Sequence, residues 1–222
     1  VQDLACRRGA GHCPDIRIFL VRTPQFNASM APNGMLQIWT GLLLRMENEA
    51  QLAAVIGHEI GHYLQRHSVE RLRDIKSRAA AGQVLALFGL AGAIGQLAVL
   101  AGSFAYNRDH EHEADRIGAY LMHRAGYPVA ESAAVWSNLL DEARAREGEE
   151  PSQSSPLFAT HPVPPERRDN LAQLAKLMPG GSDGKERYAE HTAHLLDEWL
   201  QDEIKRGQYA ESLVLLSRRI DA

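Results

Sequence analysis

The residues with the plainest chemical meaning are Gly57-His58-Glu59-Ile60-Gly61-His62, a His-Glu-x-x-His run inside a helical pattern. Positions four apart share one face of an α-helix, so His58 and His62 can grip one metal ion. Glu59 stands about 100° round the helix from His58, close enough to reach a water at that ion. Two imidazole ligands beside a carboxylate base are the working parts of a zinc-dependent peptidase. They leave a catalytic zinc one protein ligand short. Candidates follow in a single stretch: Asp109, His110, Glu111, His112, Glu113 and Asp115. Spacing selects Glu111, because Asp115 then lies one turn further on and can accept the second ring N–H of a ligand histidine. Glu113 lies about 160° from Asp115 and cannot share that task; His112 is the weaker alternative ligand. His67 is nine residues past His58, about 180° round, and faces away if the helix continues.

The elements that must carry these groups are legible in outline. Glu47 to Ile75 reads as one long helical zone, with Leu52, Val55, Ile56, Ile60 and Leu64 at three- and four-residue steps. Gly57 and Gly61 each cost about 1 kcal/mol relative to Ala in a helix. Glycines flanking the ligands therefore suggest a second element packed close against this face. Before the helix, Ile16 to Val21 reads as a strand. Pro32-Asn33-Gly34 is a turn, and Met35 to Thr40 reads as a second strand, making a hairpin or small sheet. That second strand is either an edge to which an extended substrate adds or an ordinary sheet member. After the second chemical stretch, Gly126-Tyr127-Pro128 stops a helix. Pro128 to Arg146 is another helix, with Ala133, Val135, Trp136, Leu139 and Leu140 on its core face. A further helix begins at Pro164-Pro165 and ends near Met178.

Residues 79–107 carry no charge and are rich in Ala, Leu and Gly. One membrane crossing would separate the ligands before it from the one after it. Two crossings need about 40 apolar residues, more than this run of 29 holds. The run is read as a buried apolar hairpin or one that touches a membrane surface or substrate. Residues 179–184 (Pro-Gly-Gly-Ser-Asp-Gly) have a linker composition. They divide a domain over 1–178 from a helical hairpin over 185–222. Gly207 to Leu213 is similar to the second helix of a tetratricopeptide repeat, a unit that cannot bury its own face alone; a plain helical hairpin is the equal alternative. The fold class expected is mainly α with a small β-sheet.

Composition is ordinary for a globular chain of 222 residues, with 45% hydrophobic and 23% charged residues. A net charge of -4 offers no basic field for phosphates and argues against nucleic acid as a partner. Cys6 and Cys13 are either a local disulfide or two free thiols. Val1 to Arg8 lacks the apolar core of a signal peptide.

The motifs together resemble the HtpX/BepA-type zinc metallopeptidases, relatives of the CAAX prenyl endopeptidase (peptidase family M forty-eight). The matching pieces are the His-Glu-x-x-His run, Glu111-x-x-x-Asp115 with Arg108 before it, Thr160-His161-Pro162 with Arg167 six residues on, and the Asn27 to Thr40 hairpin. The likeness spans residues 16 to 178. It implies a zincin-like fold of the gluzincin type, with one zinc ion held by His58, His62 and Glu111 and with Glu59 as base. It also implies that His161 and Arg167 line the site. Either could donate to the oxyanion, a contribution of about 3 kcal/mol per donor. His161 could instead be a turn histidine capping a helix, or a fourth ligand that blocks the resting site. The expected activity is hydrolysis of peptide bonds in exported or membrane-associated, misfolded proteins. The alternative is a silent chaperone module whose helical tail recruits partners. The likeness favours the soluble exported branch, periplasmic or membrane-associated, which carries tetratricopeptide repeats after the peptidase domain. Partners would be unfolded or extended polypeptides, a membrane surface, or outer-membrane assembly proteins.

Overall fold

The computed structural model describes residues 15–71, 73–74, 76–77, 108–148 and 165–221. The apolar run 79–107, Cys6 and Cys13 lie outside them. The described part is mainly helical with one small sheet.

The sheet has three strands: β1 (Arg17–Val21), β2 (Ala28–Met30) and β3 (Met35–Trp39), in the order β1-β3-β2. β2 and β3 form the hairpin, antiparallel with Ala28 opposite Ile38. Gly34 closes it at φ 82°, a backbone conformation that suits glycine. The segments read as strands, β1 and β3, are neighbours but run parallel, with Arg17 opposite Met35. The residue pattern does not show β2, because three residues are too few for alternation, although Ala28 and Met30 are buried and Ser29 is not; the Asn27 to Thr40 hairpin of the family resemblance is this β2–β3 pair. The placement of β3 corrects one expectation: both its edges are already paired, so no substrate strand can add to it.

Helix α1 (Thr40–Arg45) follows β3 directly. Helix α2 (Glu49–Leu64) is capped by Asn48, whose side chain accepts from Gln51 N at 2.8 Å. The long zone expected to reach Ile75 is not one helix. α2 ends at Leu64, Arg66 takes φ 58°, and the chain turns helical again from residue 67. No glycine or proline marks that break. Helix α3 covers residues 108–124. It crosses α2 with backbone against backbone: a Cβ on Gly57 would stand 3.0 Å from Gly118 O, and one on Gly61 2.9 Å from Ala114 O. The glycines flanking the ligands therefore serve the close approach their sequence positions suggested.

Helix α4 (Ala130–Glu147) buries Val135, Trp136, Leu139 and Leu140, and α5 (Pro165–Leu177) buries Leu171. α6 (Lys185–Thr192), a 3-10 turn, α7 (Leu196–Lys205) and α8 (Tyr209–Asp221) complete the chain. Residues 179–184 run along the first helices: Ala50 N donates to Asp183 O at 3.0 Å and Ser182 N to Gly126 O at 3.0 Å. The C-terminal helices meet the rest through buried charge. Arg45 donates to Glu142 at 2.7 Å and to Glu203 at 3.0 Å, and Arg218 donates to Glu142 at 2.7 Å. Among the described residues, no helix is long and apolar enough to cross a membrane.

Candidate metal centre

α2 supplies His58 and His62 from one face, and α3 lies across that face at glycine distance. Glu111, one turn before the Ala114 contact, thereby comes over the two rings. His58 Nε2 and His62 Nε2 are 3.0 Å apart. Glu111 Oε2 is 3.3 Å from His58 Nε2, and Oε1 is 3.3 Å from His62 Nε2. Metal bonds of about 2.0–2.1 Å in a tetrahedron put neighbouring donors about 3.3 Å apart. Two imidazole nitrogens and a carboxylate oxygen are also a donor set that zinc accepts. The three residues thus fit a metal ion, and they form the one such cluster among the described residues.

Behind the donors stands a second layer. His58 Nδ1 donates to Asp115 Oδ1 at 2.9 Å, which keeps the Nε2 lone pair for a metal. Asp115 is gripped from its other side by Arg167, through Nε to Oδ2 at 2.7 Å and Nη2 to Oδ1 at 2.7 Å. The third nitrogen, Nη1, reaches Glu111 Oε2 at 2.8 Å. The guanidinium lies 4.6 Å over the Trp136 ring. Burial opposes the charge on Asp115, but the Arg167 guanidinium and the His58 hydrogen bond outweigh it and hold the carboxyl at about 2. Burial likewise disfavours a charged His58, and the hydrogen bonds to Asp115 and Glu111 overcome it, so its pKa is raised.

Glu59 is buried, and with His58 it opens on a small cavity of about 30 Å³, walled by Phe26, Ala28, Val55 and Trp136. That is room enough to admit a water molecule. Among the described residues, His62 borders a much wider cleft of about 880 Å³ whose lining includes Met30, Asn33, Arg66 and Glu70.

The structure therefore brings His58, Glu59, His62, Glu111, Asp115 and Arg167 together. His161 lies outside the described residues. Arg167 touches the ligand Glu111, but it is 1% exposed and all three of its nitrogens face carboxylates. That geometry holds the ligands rather than offering a donor to an oxyanion. The alternative ligand His112 turns away, 3.1 Å from Glu166.

Sequence reasoning missed His67. It is 4% exposed, and its Nδ1 is 2.9 Å from His62 Nδ1. The expectation that it faces away assumed a helix that continues. Arg66 in the left-handed region ends that helix and swings the next residue back. Glu113, set aside as unable to share the work of Asp115, meets His67 instead.

A family profile described as Peptidase family M48 matches residues 1–175. The chain is similar to the beta-barrel assembly-enhancing protease of Escherichia coli (strain K12), 28% identical over 221 residues, covering 87% of this chain and 44% of the relative. It is similar to the putative beta-barrel assembly-enhancing protease of Vibrio cholerae serotype O1, 31% identical over 173 residues, covering 72% and 35%. It is also similar to the mitochondrial metalloendopeptidase OMA1 of Arabidopsis thaliana, 33% identical over 122 residues, covering 55% and 25%. The chain spans less than half the length of these relatives. With the family profile over most of the chain and a metal-fitting donor cluster at its centre, the chain belongs to peptidase family M48 and is a metallopeptidase.

Proposed function

We propose that the chain is a zinc-dependent endopeptidase that cleaves exported or membrane-associated polypeptides while they are unfolded or misfolded. The observation that carries this is the convergence of His58, His62 and Glu111 within tetrahedral distances, beside the buried carboxylate of Glu59. A zinc ion held there would act as a Lewis acid, acidifying water and polarising the scissile carbonyl. Glu59 takes the proton from the attacking water and later delivers it to the leaving amine. Asp115 keeps His58 in its Nδ1–H tautomer, and Arg167 keeps Glu111 and Asp115 charged and in place. β2 is the sheet edge nearest the ligands, and its Ala28 lines the same cavity as Glu59. An extended substrate would add to that edge by main-chain hydrogen bonds, which read little sequence and suit unfolded chains.

The reading extends to place and partners. Two of the relatives are named for beta-barrel assembly, which supports a periplasmic or membrane-associated setting and outer-membrane assembly proteins as clients. A silent chaperone would have no use for a buried, correctly placed Glu59. The test is hydrolysis of unfolded casein by the zinc-loaded chain and by Glu59→Gln. General acid–base catalysis is worth roughly 10²–10⁴-fold, so turnover should fall by that much with zinc still bound. Equal turnover by both proteins would discard the peptidase mechanism.

A further inference from the structure

The two histidine ligands are not supported alike. His58 leans directly on a carboxylate, Asp115, at 2.9 Å. Against His62 Nδ1 stands another imidazole nitrogen, His67 Nδ1, also at 2.9 Å. His67 Nε2 in turn lies 3.3 Å from Glu113 Oε2. Gln65 donates to the other oxygen of Glu113. The His67 ring is stacked on His110, with centroids 3.9 Å apart and planes at 8°.

The proton positions follow from the donor set. A His62 that offers Nε2 to a metal carries its hydrogen on Nδ1. Nδ1 of His67 must then accept, which leaves His67 with its hydrogen on Nε2, pointing at Glu113. Each nitrogen along the line has one partner of the right kind, and the chain ends on a carboxylate. Stacking on His110 fixes the plane of the His67 ring, so the line cannot swing.

The backbone is arranged for this contact. Five residues along an unbroken helix is about 140° of rotation, which would carry His67 away from His62. Arg66 at φ 58° interrupts the helix, in a region that non-glycine residues enter rarely. The strained residue sits immediately before the buried histidine.

We propose that His67 is a positioning residue, which accepts the Nδ1–H of ligand His62 and passes the hydrogen bond on to Glu113. Both metal-binding rings are then oriented by a carboxylate, one directly and one through an imidazole. The inference rests on the zinc reading of the site.

The test is the zinc dissociation constant of the full chain, measured by competition with a chromophoric chelator, together with the visible spectrum of the cobalt-loaded protein. Loss of such supporting partners typically weakens metal binding by roughly 10–100-fold. His67→Phe, which keeps the ring and removes the acceptor, should lose that much and shift the cobalt bands. His67→Asn, whose amide oxygen can take the same N–H, should recover most of the affinity. Glu113→Ala should show a smaller loss, at the low end of that range, roughly 10-fold. Wild-type affinity in His67→Phe overturns the proposal, as does an equal loss in His67→Phe and His67→Asn, which would make His67 a packing residue. Should His67→Phe fail to fold, Glu113→Ala decides, since that side chain is 46% exposed; affinity within about twofold of wild type then overturns the proposal. A wild-type chain that takes up no zinc sinks the metal reading as well, whereas zinc-loaded variants that match wild type sink the relay alone.

Discussion

Two arginines among the described residues are 1% exposed, and each sits between two carboxylates. Arg45 joins Glu142 and Glu203, between the first helices and the C-terminal pair. Arg167 joins Asp115 and Glu111, behind the metal site. The device is the same, but the charge count is not. Around Arg45, the buried glutamates Glu142, Glu203 and Glu211 are met by four arginines, Arg45, Arg146, Arg206 and Arg218, so no buried negative charge is left over. Around Arg167, the buried acids Glu59, Glu111 and Asp115 face one guanidinium. The surplus of two negative charges is what one divalent cation neutralises. A closed network of this kind binds one part of a protein to another. A network left short of positive charge is a site for a cation.

The sharpest way to break this comparison is to remove each arginine. Arg167→Met takes the guanidinium from two buried carboxylates at once and should cost about 3–5 kcal/mol in urea unfolding; Arg45→Met should cost less, because Glu142 keeps Arg218 and Glu203 keeps Arg206. They should part company on metal. Arg167→Met should also weaken zinc binding and casein turnover, because Glu111 and Asp115 lose their alignment. The folded fraction of Arg45→Met should bind zinc as wild type does. Zinc binding unchanged in Arg167→Met would place both arginines in the same structural class.

A smaller effect separates the regions by pH. Asp115 is held at about 2 against an ordinary value of 3.8. Its folded value is lowered, so the stability it contributes is complete above about pH 4 and drains away as the pH falls toward 2. The amount is about 2 kcal/mol from the linkage relation. In metal-free protein, the gap in unfolding free energy between wild type and Asp115→Asn should therefore narrow between pH 4 and pH 2. A gap that stays constant over that window would show that Asp115 is not held as a buried anion.

The smallest effect concerns the helix crossing. Gly61→Ala gains about 1 kcal/mol of helix propensity. Its Cβ would meet Ala114 backbone atoms at 2.9 and 3.0 Å, and overpacking of this kind costs about 1–3 kcal/mol. Backbone cannot swing aside as a side chain can, so the clash should win by about 1 kcal/mol. Glu111 rides on the displaced helix, so zinc affinity should fall as well. Calorimetry and chelator competition check the two parts, and an unchanged zinc affinity would mean that α2 and α3 can separate without moving the ligands.

How much of this was legible beforehand differs from residue to residue. His58, Glu59 and His62 follow from local helical period, and Glu111 with Asp115 from the same rule one helix later. Gly57 and Gly61 announced the close crossing because glycine inside a helix has a cost that needs a reason. β2 shows no period in three residues, and only the family resemblance, through its Asn27 to Thr40 hairpin, pointed to it. β3 could not be recognised as the central strand, since strand order is settled by pairing between distant segments. Arg167 was tied to the site by resemblance, but its grip on two carboxylates depends on α5 packing against α3.

What the amino-acid order determined by itself was the chemistry on single helices, because i to i+4 geometry is a property of the local chain. The tertiary structure decided which charges meet and which remain uncompensated. It also decided that His67 supports His62, because a left-handed turn at Arg66 carries no sequence signal and is sustained only by contacts made across the fold.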